Sequence, residues 1–255
     1  MLLLHGGGFD AAEFSYRYAI EPLSRLRPVL AFDWPGYGGS DTPNRRCDLV
    51  YYARLLEDLM DFLEIQRAAL VGTSMGGGAA LSFALCSPER VEKLVLVASY
   101  GLGKDVPYGR LGYCLVHAPL AADLVYALLR RSRRMLRSGL RRIVWDPRVV
   151  SDELVDEARR LLDQPGSGRA FRSFRKSEVG WRGLKTDLSF RLGEVAVPTL
   201  LVHGDHDRVV PVEWARRAYE RLPDSELRVL QRCGHWPPRE CPDTFNRVVT
   251  DFLAR

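Results

Sequence analysis

The sequence predicts an α/β fold: a mostly parallel sheet flanked by helices and interrupted by one helical insertion. Three observations predict it. Short runs rich in Val and Leu recur along the chain and hardly alternate, as strands covered on both faces of a parallel sheet do. Helical patterns separate those runs, and strand–helix–strand alternation implies right-handed crossovers. The alternation stops at about Asp105 and resumes after Leu192.

Strands are expected at Leu2–Leu4, Val29–Asp33, Ala68–Gly72, Leu94–Ala98, Thr199–His203 and Leu227–Leu230. A helix over Ala11–Leu26 follows Asp10, which has an N-cap side chain. Over Tyr51–Glu64 the apolar positions Leu55, Leu56, Leu59, Phe62 and Leu63 fall at helical spacing. Met75–Cys86 is almost entirely small or apolar, as a buried helix should be, and Val212–Leu222 and Pro242–Leu253 are amphipathic. Between Asp105 and Leu192 no strand is expected. Helical patterns run over Leu115–Leu136, Ser138–Val144 and Asp152–Leu162, followed by Pro165-Gly166-Ser167-Gly168. The chain therefore divides into a first core part, 1–104, a helical cap, 105–192, and a second core part, 193–255.

The bulk numbers exclude several classes. At 255 residues and 46% apolar, the chain can bury a full core as one large domain with an insertion. No stretch approaches the ~20 apolar residues of a membrane helix. Met1-Leu2-Leu3-Leu4 lacks the basic start of a secretory leader, so the expectation is a cytoplasmic protein with no membrane partner. The five cysteines form no CxxC pair and read as reduced thiols, with no metal site. The cap holds 18 Lys and Arg against 10 Asp and Glu, a net of +8 in a chain of net +5. Either it is a solvated helical surface or it steers an anionic small molecule. No nucleic-acid motif accompanies the charge.

Three positions carry the chemistry. Gly72-Thr73-Ser74-Met75-Gly76 fits G-x-S-x-G between a strand and a small-residue helix, the setting in which a sharp turn lifts a serine nucleophile above a sheet edge. A serine needs a base, and the base needs an orienting acid. His235, in Cys233-Gly234-His235-Trp236, follows the last strand, and Asp207, in Gly204-Asp205-His206-Asp207, follows the strand before it. Asp205 competes for the acid role. His5-Gly6-Gly7-Gly8 follows the first strand, where a loop can give an oxyanion a backbone N–H. Gly7 is the first choice for that donor and Gly8 the second, with Met75, after the nucleophile, as the other. Phe9 and Val210 are further expected substrate contacts.

Asp33-Trp34-Pro35-Gly36-Tyr37-Gly38-Gly39-Ser40 resembles the D-x-P-G-x-G-x-S turn of α/β-hydrolase fold proteins. Ser74-Met75-Gly76-Gly77, Ser87-Pro88-Glu89-Arg90-Val91 and Asp207-x-x-Val210-Pro211 match the same family in the same order. The resemblance places the family's triad on Ser74, Asp207 and His235. The C-terminal run, Cys233-Gly234-His235-Trp236 with Glu240, Phe245-Asn246 and Asp251-Phe252-Leu253, is similar to the carbon–carbon bond hydrolases of meta-cleavage pathways. Those enzymes use no cofactor, hold an aromatic residue at the Trp236 position against the substrate, and take anionic dienoates, which a basic cap would suit. The chain departs from them at Gly8-Phe9-Asp10, where they have Pro-Gly, and at Tyr16, near their dienoate-holding Asn. Hydrolysis of a carboxylic ester or related small acyl compound is the first expectation. Carbon–carbon hydrolysis is the alternative, and a non-catalytic ligand-binding relative a further one. The family also carries strands ahead of the one at Leu2–Leu4; without them the Val29–Asp33 edge would be bare, predicting a homo-oligomer through that edge or poor yield.

Overall fold

A computed structural model of the protein describes residues 1–105 and 109–255. The chain opens with β1 (Leu2–Leu4), α1 (Ala12–Tyr16), α2 (Ile20–Ser24), β2 (Leu30–Phe32) and α3 (Leu49–Phe62). Then come β3 (Ala68–Thr73), α4 (Met75–Cys86) and β4 (Val91–Val97). The insertion holds α5 (Gly109–His117), α6 (Ala121–Arg131), α7 (Arg133–Ile143), α8 (Asp152–Asp163), α9 (Arg169–Glu178) and a hairpin of β5 (Val179–Gly180) and β6 (Gly183–Leu184). The core resumes with β7 (Thr199–Gly204), α10 (Val212–Tyr219), β8 (Ser225–Leu230), α11 (Pro237–Glu240) and α12 (Pro242–Ala254).

Six strands form one parallel sheet in the order β2-β1-β3-β4-β7-β8. Alternate residues feed opposite faces. Leu2, Leu4, Leu70, Leu94, Leu96 and Leu201 pack against α3, α4 and α10. Leu3, Ala69, Val71, Val95, Val97, Leu200 and Val202 pack against Tyr16, Leu23 and the Phe245–Leu253 face of α12. That double burial is why the strands read as continuous apolar runs. A third apolar cluster unites Leu136, Leu140, Val155 and Leu162 of the insertion with Phe14 and Trp236 of the core.

Four expectations change. The single helix over Ala11–Leu26 is two short ones, because Pro22 has no N–H to give to an unbroken helix. Asp10 is not an N-cap: α1 starts from Ala11 with no side-chain cap. The stretch Leu115–Leu136 is divided by Pro119 and again at Ser132, whose Oγ accepts from Met135 N–H and starts α7. The insertion also contains the small β5–β6 hairpin, too short for period-2 patterning to reveal. Among the described residues no single helix is long and apolar enough to cross a membrane; α5 and α6 reach that composition only as a pair bent by 80°.

Candidate active site

Ser74 sits where β3 turns into α4. Its φ of 52° and ψ of −115° lie outside the regions a non-glycine residue ordinarily adopts. The surroundings hold it there: Ser74 N–H donates to Val97 O, and Ser74 O accepts from the N–H groups of Gly78 and Tyr100. Gly76 is required by close approach, since a Cβ would overlap the carbonyl oxygen of Leu4. The sequence is glycine-rich here because β1 passes directly beneath the helix start.

His235 Nε2 lies 3.1 Å from Ser74 Oγ, and His235 Nδ1 lies 2.7 Å from Asp207 Oδ2. Three residues scattered over the sequence thus meet in one hydrogen-bonded line. The Asp207 carboxylate is fully buried and completely bonded. Its Oδ1 accepts from the N–H groups of Val209 and Val210. Its Oδ2 also faces His203 Nε2 at 3.2 Å, a ring that bonds Val210 O as well. Burial pushes the Asp207 pKa up, but the two histidines more than reverse this and hold it well below the carboxylate range. Burial pulls His235 down, and the Asp207 charge with its hydrogen bond overrides that, so His235 ends above its ordinary value. His203 is the residue that sequence reasoning passed over as a strand end; its position four before Asp207 was the available signal. Asp205 faces away, bonding His206 Nδ1 and Cys233 N–H.

The first loop is anchored at both ends. His5 is buried, accepts from Trp34 N–H at Nε2 and bonds Gly6 O through Nδ1. Asp10 accepts from Gly6 N–H, Ala11 N–H and Ser15 Oγ. Between these anchors the N–H groups of Gly7 and Gly8 find no acceptor among the described residues, nor does that of Met75 at the start of α4. Such free donors beside a serine can receive an oxyanion. Tyr16 does not reach the site: its hydroxyl bonds Leu4 O, Val71 O and Thr73 Oγ1 inside the core. Glu240 accepts from the N–H groups of Trp145, Gly234 and Trp236, fixing the loop that carries His235.

Beside Ser74 and His235 lies a cavity of about 280 Å³. Gly6, Gly7, Gly8, Phe9 and Trp236 line it from the core, and Leu129, Leu140, Ile143 and Phe171 from the insertion. Val210 does not. It is buried in the core, held by its backbone bonds to Asp207 and His203, and the adjacent Val209 lines the cavity instead. Phe174 is core, and Trp181 is half-exposed against Tyr113. Among the described residues no Lys or Arg lines the cavity; Asp10 contributes a carboxylate there. The described residues hold no cluster of metal-ligating side chains. A larger cleft of about 470 Å³, lined by Glu13, Arg17, Ala31 and Glu157 among others, runs beside β2 and contains none of the three aligned residues.

Residues 1–248 match the model of a family described as the alpha/beta hydrolase family. The chain is 35% identical over 260 residues to a 2-hydroxy-6-oxononadienedioate/2-hydroxy-6-oxononatrienedioate hydrolase of Comamonas testosteroni, across all of this chain and 87% of that protein. It is also 35% identical over 261 residues to a 2-hydroxy-6-oxo-6-phenylhexa-2,4-dienoate hydrolase of Burkholderia cepacia, again across all of this chain and 87% of the other. Among solved structures, a meta-cleavage product hydrolase from Pseudomonas fluorescens IP01 superposes with a TM-score of 0.82 at 30% identity, covering 99% of this chain and 89% of that one.

Proposed function

The chain belongs to the alpha/beta hydrolase family, and from that premise we propose that it hydrolyses carboxylic esters of small, uncharged, apolar acyl groups. The observation that carries this reading is the lining of the cavity: apolar side chains from both the core and the insertion, with no Lys or Arg and one carboxylate among the described residues. A buried anionic acyl group would need a cationic or hydrogen-bonding partner there.

In this reading Ser74 Oγ attacks the acyl carbon as His235 Nε2 takes its proton. Asp207 holds the imidazole in one orientation and stabilises the imidazolium. The N–H groups of Gly7 and Met75, with Gly8 in reserve, receive the charge of the tetrahedral oxyanion. The alcohol leaves with a proton from His235, and water, activated by the same ring, releases the acyl group. Residues 105–192 act as the cap, and Phe9, Phe171 and Trp236 contact the acyl chain.

A second reading is favoured by the relatives: one is called a hydrolase of a 2-hydroxy-6-oxo dienedioate or trienedioate and the other of a 2-hydroxy-6-oxo dienoate, which points to carbon–carbon cleavage on the same three residues. A paired assay separates the two. Wild type and Ser74→Ala are compared on p-nitrophenyl butyrate and on a 2-hydroxy-6-oxo-dienoate. Ester turnover that falls by roughly 10⁴–10⁶-fold in Ser74→Ala, with the dienoate inert, is the expected result. Dienoate cleavage far exceeding ester turnover would give the second reading its place.

A further inference from the structure

The outer surface of the insertion carries an apolar ridge that the hydrolytic site does not use. Val116 on α5 and Tyr126 on α6 point inward, while Leu111, Leu115, Leu124, Val125 and Leu128 are exposed. Leu111 and Leu115 are four residues apart, as are Leu124 and Leu128, so each pair shares one helix face. Leu120, in the turn between the helices, is 76% exposed and has a φ of 60°, a conformation leucine rarely adopts. Pro119 ends α5 just before it, so the turn holds an apolar side chain out into solvent. Patches of this kind on a water-facing surface mark interaction sites.

Charge says what the ridge meets. Residues 109–135 carry five arginines and one acid, Asp123, and Asp123 pairs with Arg172. Arg131 and Arg134 are exposed and pair with no carboxylate among the described residues. Arg110 lies 5.2 Å from the centre of the half-exposed Trp181 ring. Exposed aliphatic side chains flanked by arginine and tryptophan are the composition of helices that lie in the headgroup layer of a bilayer. A second copy of the same basic face would bring like charges together. We propose that the outward faces of α5 and α6 dock this protein on an anionic lipid bilayer. Leu129, on the inner side of α6, lines the catalytic cavity, so docking sets the lipid surface one helix away from Ser74.

The test is co-sedimentation of the full chain with vesicles of pure phosphatidylcholine and of phosphatidylcholine containing about one-third phosphatidylglycerol. The expected result is partition onto the anionic vesicles alone, weakened by salt. The double variant Leu120→Asp/Leu124→Asp should lower that partition at least tenfold. Arg131→Gln/Arg134→Gln should lower it by roughly fivefold for each charge removed. An unchanged circular dichroism spectrum and melting temperature show that each variant is folded. Wild type that ignores the anionic vesicles, or an aspartate variant that binds them as well as wild type, overturns the proposal. So does a dimeric wild type that the aspartate variant turns monomeric, which would assign the ridge to a second copy. None of these readouts depends on hydrolysis, so this proposal and the esterase reading fail separately.

Discussion

The distances at His235 and Asp207 make the pH response calculable in sign. In the proposed mechanism the working form of His235 is neutral, and its pKa sits above the 6.5 usual for histidine. Activity is therefore full above that raised pKa and is lost as pH falls through it. kcat/KM for a neutral ester should show an acid limb with its midpoint above pH 6.5. Asp207→Asn removes the charge that raises His235 and leaves the burial that lowers it. The limb should then move to lower pH, with a rate loss of about 10³–10⁴-fold. A limb that stays in place would mean that Asp207 does not set the charge state of His235. His203→Ala takes one donor from the buried Asp207 carboxylate and should destabilise the fold by about 1–3 kcal/mol in chemical denaturation. Ser74, His235 and Asp207 were legible in the sequence because each follows a recognisable strand within its own short motif. Val210 was misread as a substrate contact because motif spacing names the loop but does not say which of two adjacent valines faces the cavity. His203 and Glu240 bond backbone and buried side-chain groups across the fold, and no local pattern encodes such contacts.

At the scale of elements, the sheet was readable for the same reason it is stable: strands covered on both faces must be apolar throughout. The insertion was less readable. Its helices break at Pro119 and Ser132, and what fastens them to the core is ionic as well as apolar. Glu157 on α8 pairs with Arg239 on α11 and with Arg17 just after α1. Arg239 is almost wholly buried, its guanidinium lying over the rings of Phe14, Tyr18 and Trp236. It therefore stands behind Trp236, whose indole lines the cavity and donates from Nε1 to Ser15 Oγ. Removing one partner of a buried pair strands the other's charge. Glu157→Ala should destabilise the protein by about 3–5 kcal/mol, reduced to the extent that water reaches Arg239. Limited proteolysis should then cut first within residues 105–192. A variant as protease-resistant as wild type would show that the apolar cluster of Leu136, Leu140, Val155 and Phe14 holds the insertion by itself.

Over the whole molecule, the net charge of the insertion and the charge at the site have opposite signs. Its arginines pair with acids, stack on rings or face solvent, whereas the cavity beside Ser74 receives the Asp10 carboxylate. The basic composition read from the sequence is thus a property of the outer surface, and composition alone has no means of saying which way a side chain faces. Asp10 has two effects. Its bonds to Gly6 N–H and Ser15 Oγ brace the loop that presents Gly7, and its charge opposes an anionic acyl group entering beside Ser74. The second effect is measurable as a ratio that cancels the first. For wild type, kcat/KM for p-nitrophenyl butyrate should exceed that for mono-p-nitrophenyl succinate, which is similar in size but anionic. Asp10→Asn loses some turnover on both because it braces the loop less well, yet the ratio should fall by on the order of tenfold, the size of one charge interaction across a partly buried site. High salt should narrow the wild-type ratio only slightly, since the Asp10 side chain is mostly buried and a buried charge is poorly screened. An unchanged ratio in Asp10→Asn would mean that the carboxylate only braces the loop, and that the shape of the apolar lining alone selects the acyl group.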